Sequence, residues 1–439
     1  MTDSIAGLPF WDLVFDADGD PDTRTTDALL AETGNLTDLY VFSHGWNNDR
    51  SIARNLYNRF YEQLARQLAA DPRGTAGLAG VYWPAIRWSD EPIPNFTPAA
   101  AAGGGGGIAA ATPAATETAV ADPVLDEKTL ADLLQTFPDA KDSLERMAAL
   151  LRGDTTQQTL DDFFAALNDF AEQSGTGEND GEVSSGKPRM LDDGPNDVFA
   201  RYRDALVESG VDLPRGDGTA GIGDKLGGLL NGAKEALRVA TYWEMKGRAG
   251  VVGRKGLGPL LGRLPAGLRV HLIGHSFGAR LVSYAIGAPQ VKSVTLLQGA
   301  FSHFAFCKPL PFDAGRNGAL GGQQQKVDGP VTVCFSAHDG AVGRFYPLAS
   351  LAKRDDVAAG HGLLWRWGGM GADGAQNTDA VLDGIKPAGP GTTYRFARNR
   401  ILNIDCSQVV SAGKAPSGAH SDILHPEVTW IVLAASRFS

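Results

Sequence analysis

The amino-acid sequence predicts an α/β fold, in which a doubly wound and mostly parallel sheet is interrupted by an α-helical cap insertion. Toward both ends of the chain, short apolar runs bounded by Gly, Pro or polar residues alternate with helical patterns. Such runs are typical of parallel strands that are covered by helices on both faces. In the middle of the chain, helical periodicity replaces this alternation. The predicted strands span 38–43, 80–88, 269–273, 293–297, 331–336 and 400–405.

The insertion contains two stretches that have no periodicity. Residues 99–121 include poly-Ala and five consecutive glycines, and residues 173–194 are rich in Gly, Glu, Asp and Ser. This composition is typical of flexible segments. Helical patterns are predicted at 125–151, 160–171, 198–207 and 226–245. We expect Phe163, Phe164 and Phe170, which share one helical face, to belong to a small core.

These patterns divide the chain into a core and a cap. The core comprises residues 1–98 and 251–439, and the mostly helical cap comprises residues 99–250. Because the joints of the cap have the composition of flexible segments, we expect the cap to be mobile. A lid over the site and a partner-docking module stay open as its roles.

Composition excludes several classes of function. The chain has 439 residues, with 40 Lys and Arg against 51 Asp and Glu, and a formal net charge of −11. A protein that binds nucleic acid needs a basic face, so no nucleic-acid partner is expected. No apolar run reaches the roughly 20 residues of a membrane helix, so no integral membrane association is expected. The start of the chain lacks a signal-peptide pattern, which favours a cytoplasmic location, although a processed mature chain would look the same.

The sequence from Gly274 to Gly278, Gly-His-Ser-Phe-Gly, matches the Gly-x-Ser-x-Gly nucleophile elbow. The apolar strand 269–273 leads directly into it and a helical pattern over 279–285 follows. The elbow requires this strand–turn–helix setting, because the serine occupies a strained turn and its neighbours two positions away must be small. Ser276 is therefore the predicted nucleophile.

A serine nucleophile needs a base and a carboxylate that orients it, and in this setting the chain order is Ser, acid, His. Asp339 follows the strand 331–336, and His420 lies in a late loop after the strand 400–405. The alternatives are Asp405, at the end of that last strand, and His425, which precedes Pro426 at a helix start, where capping or packing is usual.

The developing oxyanion needs two backbone donors. One is the amide of Phe277, the residue after the nucleophile. The second is the amide of Trp46, in the loop Ser43-His44-Gly45-Trp46-Asn47-Asn48 that follows the first predicted strand. Capping of the next helix by Asn47, Asn48 or Asp49 is the alternative explanation of this polar cluster.

Together these motifs resemble the α/β-hydrolase superfamily, and most closely the bacterial serine esterases and lipases that carry a His-Gly-Tyr/Trp-Asn oxyanion loop. The resemblance covers 1–98 and 251–439, and residues 242–250 also resemble the helix that leads into the elbow strand in some members. On that basis 235–250 would belong to the core. The chain differs from the common layout in its long insertion before the nucleophile strand.

The resemblance implies hydrolysis of a carboxylic ester through an acyl-serine, without a cofactor. The expected substrate is a small-molecule ester or a lipid-like ester, whose acyl and alcohol parts stay open, as does the oligomeric state. A serine amidase or peptidase would use the same parts. A protein of this fold that only binds a ligand or partner is a further alternative, although its Ser or His is usually lost.

Metal chemistry is not expected. The eight histidines form no helical i, i+4 pair of ligands, and three cysteines are too few for a disulfide framework or a Cys-only zinc site. Residues 16–22 have carboxylates at alternate positions, as a calcium loop has, but Pro21 replaces the required glycine and Asp27 the bidentate Glu. We interpret this segment as a solvated acidic turn.

Overall fold

Nine strands form one sheet in the computed structural model, which describes residues 3–70, 72–89, 123–174, 189–213, 222–350, 363–378 and 381–438. The strand order is β1-β2-β4-β3-β5-β6-β7-β9-β8; β1 and β2 are antiparallel and all other neighbours are parallel. The predicted α/β class is therefore confirmed. The strands are β1 Asp3–Ile5, β2 Leu8–Val14, β3 Asp38–Ser43, β4 Ala76–Tyr82, β5 Arg269–His275, β6 Val291–Leu297, β7 Val331–Phe335, β8 Val381–Ile385 and β9 Ile401–Asp405.

Helices cover both faces of the sheet because its central strands are apolar on both sides. In β3, Leu39 and Val41 join one core, and Tyr40 and Phe42 join the core on the opposite face. Helices α2 and α13 pack on the second face and the other long helices on the first. The helices are α1 Thr23–Glu32, α2 Arg50–Ala70, α3 Glu127–Thr136, α4 Lys141–Arg152, α5 Gln157–Ser174, α6 Pro195–Glu208, α7 Ile222–Val251, α8 Gly258–Gly262, α9 Phe277–Ser283, α10 Tyr346–Ser350, α11 Leu363–Trp367, α12 Met370–Asp373 and α13 Pro426–Ser436.

Two predicted elements have the wrong extent. The strand predicted at 80–88 ends at Tyr82, and residues 83–88 are irregular, since Pro84 has no N–H for a ladder. The single helical pattern over 125–151 is two helices, α3 and α4, because Pro138 interrupts it. The sequence reading also missed β1, β2, β8 and α1.

Helix α7 passes position 235 without a break and ends at Val251, one residue beyond the proposed boundary at 250. Near its start, a Cβ added at Gly232 would collide with the backbone of Phe199 in α6, so the two helices cross closely. Near its end, the Lys246 carbonyl accepts a hydrogen bond from Arg280 Nε of α9 at 2.8 Å. One helix thus joins the inserted helices to the elbow.

The inserted helices share a core with the sheet. Phe163 and Phe170 are fully buried, and Phe199 packs edge-on against both Phe163 and Phe164. These residues are continuous with the apolar face that includes Val41 of β3. Of the predicted flexible joints, 99–121 and most of 173–194 lie outside the described residues.

Both edges of the sheet are short. Strand β1 has three residues, and its Asp3 pairs with Arg54 of α2. Strand β8 has five residues, its pairing with β9 is irregular between Leu382 and Ile385, and Gly384 has a φ of +78°. Within the described part of the chain, no helix is both long and apolar enough to cross a membrane.

Candidate active site

The carboxyl ends of β3 and β5 meet at a point where the strand order changes direction. From β3 the chain continues to β4 on one side, whereas β5 lies on the other side and leads to β6 and β7. Ligands of open α/β sheets bind at such points, outside the carboxyl ends of the strands. The loop after β3 and the turn after β5 contain the predicted oxyanion and nucleophile residues.

Ser276 occupies a strained turn between β5 and α9. Its φ is +57° and its ψ is −122°, a region that L-residues seldom adopt. A Cβ at Gly274 would overlap the backbone of Ala279, and one at Gly278 would overlap the carbonyl oxygens of Ser43 and His44. The two glycines therefore allow the tight turn and its close approach to the loop after β3.

His420 lies against Ser276 across the top of the sheet. It belongs to a short 3₁₀ turn, Ala419–Ser421, which follows Gly418 with a φ of +59°. The Ser276 hydroxyl donates to His420 Nε2 at 2.8 Å. The other ring nitrogen, Nδ1, donates to Asp339 Oδ2 at 2.8 Å.

Asp339 is held in place by the loop after β7. Its side chain is fully buried, and its second oxygen, Oδ1, accepts the Val342 N–H at 2.9 Å. The two loops are tied together, because Ala419 N–H donates to the His338 carbonyl at 2.9 Å and Gly340 N–H donates to that of Ser417 at 3.1 Å. The carboxylate and the imidazole are thus placed by one backbone network.

The alternative residues lie elsewhere. Asp405 pairs with Lys386 and accepts the Ser407 N–H at 3.0 Å. His425 precedes the first residue of α13, and its Nε2 donates to Asp422 Oδ1 at 2.9 Å. The structure brings neither residue into hydrogen-bond contact with Ser276.

The loop after β3 packs directly on the nucleophile. A Cβ at Gly45 would approach Ser276 Cβ closer than 3.0 Å and would lie 3.0 Å from Oγ. The Asn48 amide donates to the Gly45 and Trp46 carbonyls at 3.2 and 2.8 Å, and Asp49 caps α2 through the Ser51 N–H at 2.9 Å.

The other predicted donor, the Phe277 N–H, is in the first residue of α9, where amides have no intrahelical acceptor. Helix α7 packs on the side chains of both residues, since the Tyr242 ring lies 4.3 Å from the Phe277 ring and 5.3 Å from the Trp46 ring, centroid to centroid.

His275 is a site residue that the sequence reading missed. Its Nε2–H donates to the backbone carbonyl of His420 at 2.7 Å, and the two rings are 4.9 Å apart. Burial lowers the pKa of His275 to about 3 and that of His44 to about 4, so both rings are neutral near pH 7. The only signal for His275 is its place inside the elbow motif.

Carboxylates of the acidic turn at 16–22 accept hydrogen bonds from nearby backbone N–H groups. Asp16 Oδ1 accepts the N–H groups of Asp18 and Asp20 at 3.0 and 2.8 Å, and Asp22 caps α1. Among the residues that the structure describes, no group of three His, Cys, Asp or Glu side chains is placed to hold a metal ion.

Three comparisons of the chain with known proteins found no match. Neither a protein-family model, nor a curated protein, nor a solved structure was found to match the chain. Any functional conclusion therefore depends on the site itself.

Proposed function

We propose that the chain is a serine carboxylic ester hydrolase with an α/β-hydrolase architecture. The observation that carries the proposal is the hydrogen-bonded series from Ser276 Oγ through His420 to Asp339, with both contacts at 2.8 Å. A serine in a strained strand-to-helix turn, a base within hydrogen-bond reach and a buried carboxylate behind that base are the parts of an acyl-transfer site.

The reaction follows from these positions. Ser276 Oγ attacks the acyl carbon while its proton passes to His420 Nε2, and Asp339 stabilises the imidazolium. The Trp46 and Phe277 N–H groups stabilise the negative oxygen of the tetrahedral intermediate. The imidazolium then returns the proton to the alcohol oxygen as the ester C–O bond breaks, which leaves an acyl-serine. Water, deprotonated by the same imidazole, then attacks the acyl carbon of the acyl-serine. The imidazolium returns the proton to Ser276 Oγ as the bond between Oγ and the acyl carbon breaks, which releases the carboxylic acid and restores the serine.

We assign the helices between β4 and β5 to a cap on this site. Support comes from Tyr242 of α7, which packs on both proposed oxyanion residues. Because these helices share a core with the sheet, the cap contributes to the stability of the whole chain as well as to the walls of the site.

The nucleophile can be tested with a fluorophosphonate probe and the Ser276→Ala variant. We expect the probe to label Ser276, and the variant to lose about 10⁴- to 10⁶-fold in kcat on p-nitrophenyl acetate while keeping its melting temperature. The matched control is Ser283→Ala, which removes a buried hydroxyl of α9 that, among the described residues, donates to the Ala279 carbonyl alone. Retention of more than a tenth of the activity by Ser276→Ala would exclude Ser276 as nucleophile. Comparison with p-nitroanilides separates an esterase from an amidase.

A further inference from the structure

A buried side-chain amide, that of Gln298, forms no hydrogen bond within the described part of the chain. Gln298, the first residue after β6, is 1% exposed, and neither its Oε1 nor its Nε2 has a hydrogen-bond partner in the described part of the chain. Burying an amide without partners is unfavourable, and most buried polar groups of native proteins are satisfied. A carboxamide without hydrogen-bond partners is a group to which a ligand can form hydrogen bonds.

The backbone places Gln298 beside the nucleophile. Ser276 N–H donates to the carbonyl of the residue before Gln298, Leu297, at 3.0 Å, and Ala300 N–H donates to the Ser276 carbonyl at 3.2 Å. Gln298 N–H donates to the Cys334 carbonyl of β7, the strand that leads to the acid, at 3.0 Å. Since neighbouring strands are about 4.8 Å apart, the glutamine lies one strand spacing from the serine.

Gln298 is also held in an unfavourable conformation. Its φ is +43°, and a Cβ at Gly371 would come within 2.5 to 2.8 Å of its backbone. Gly371 N–H donates to the Gly299 carbonyl at 2.9 Å, which fixes α12 against this turn. Strained residues persist where the surrounding structure determines them, and they concentrate at functional sites.

Trp46 provides a second, independent observation. Its indole Nε1 is buried and has no hydrogen-bond partner among the described residues. Trp46 follows Gly45, which packs on Ser276 from the β3 side, whereas Gln298 adjoins Ser276 from the β6 side. Two residues with unpaired polar side-chain atoms therefore adjoin Ser276 through their backbone, one from the β3 side and one from the β6 side.

We propose that Gln298 is a substrate-binding residue that selects esters with an amide or hydroxyl group near the ester bond. This inference rests on the proposed ester hydrolysis by Ser276. A carboxamide offers an acceptor and two donors, so a secondary amide of the substrate can satisfy both of its ends. A plain alkyl chain would leave Gln298 and the Trp46 indole unpaired, and sites built for a hydrogen bond reject analogues that lack it.

The test compares esters of the same shape and different polarity on the wild-type protein. In the acyl series, the p-nitrophenyl ester of N-acetylglycine is compared with that of 4-methylpentanoic acid. In the alcohol series, the acetate of N-acetylethanolamine is compared with that of 4-methylpentan-1-ol. Each kcat/KM is divided by the rate of hydroxide hydrolysis of the same ester, which removes intrinsic reactivity. We expect the amide ester to be preferred at least about tenfold in one series.

Two variants connect this preference to Gln298. Gln298→Leu keeps the approximate volume of the side chain and removes all of its hydrogen-bonding atoms. Gln298→Glu keeps the shape of the side chain and replaces the N–H donors by a second acceptor oxygen. The measured quantity is the normalised kcat/KM of the amide ester divided by that of the alkyl ester. We expect this ratio to fall to within about threefold of unity in Gln298→Leu. We expect Gln298→Glu to lie between Gln298→Leu and the wild type. If neither variant folds, the inference is judged on the wild-type preference for the amide esters over the alkyl esters.

The outcomes separate this inference from the proposed function. Equal normalised rates within both series, on a protein whose Ser276 is labelled by the fluorophosphonate, would overturn the role of Gln298 alone. An unchanged amide preference in a folded Gln298→Leu protein would do the same. A chain whose Ser276 is neither labelled nor needed for hydrolysis of any ester would overturn the proposed function and this inference together.

Discussion

Gly45→Ala is a direct test of how closely the loop after β3 lies against the nucleophile. The added carbon would lie 3.0 Å from Ser276 Oγ and closer to its Cβ, whereas ordinary van der Waals contact begins at 3.4 Å. Relief of the shorter contact, between the two Cβ atoms, must separate Gly45 from Ser276 by more than the 0.4 Å that the Oγ contact alone requires. A misplacement of roughly 1 Å at a reacting group costs about 10²-fold, so we expect kcat/KM to fall by about 10- to 100-fold.

The assay is hydrolysis of p-nitrophenyl acetate, together with the rate of fluorophosphonate labelling and the melting temperature. Gly45 does not have a positive φ, so alanine can adopt its backbone conformation. The exchange therefore tests only the steric contact between the added Cβ and Ser276. The matched control is Gly262→Ala, because a Cβ there meets nothing within 4 Å. A folded Gly45→Ala protein within threefold of the wild-type kcat/KM would show that the loop does not lie against Ser276 during the reaction.

Three further predictions concern the acid and two histidines. Asp339→Asn should lower kcat by about 10⁴-fold, and Asp405→Asn, its control, by less than about threefold; equal losses would contradict the assignment. His275→Phe should lower kcat more than it changes KM, since it removes the hydrogen bond to the backbone of the proposed base; an unchanged kcat would refute this. The hydrogen bond to Asp422 raises the pKa of His425, so its stabilisation is present below the unfolded pKa of about 6.5 and is lost as pH rises through the folded pKa. The loss of unfolding free energy in His425→Gln should therefore be larger at pH 5.5 than at pH 8.5, and equal losses would argue against it.

Local patterns explain why part of this structure was predictable. The elbow and its strand–turn–helix setting are encoded in the contiguous segment 269–285, and the central strands are apolar on both faces. Strand β8 was missed because it lies at an edge, half exposed, and contains Asp383 and Gly384. Strand β2 contains Pro9 and Asp12, which break its apolar pattern.

Other features depend on tertiary contacts that no local pattern reports. His275 bonds to a carbonyl that is 145 positions away in the chain. That the Gln298 side chain lacks hydrogen-bond partners becomes evident only when β6 is placed between β5 and β7 in the sheet. Periodicity could not distinguish a core–cap boundary at 235 from one at 250, because the single helix α7 contains both positions.

The two short edges of the sheet have a consequence for how copies of this chain can associate. A long, flat edge strand exposes a row of N–H and C=O groups to which a strand of another molecule can add. Strand β1 offers only three residues, with Asp3 among them, and β8 is interrupted at Gly384. Within the described residues, neither edge presents a long, regular ladder, which disfavours edge-to-edge pairing of two copies of this sheet. Short and interrupted edge strands of this kind disfavour the intermolecular β-pairing that starts aggregation.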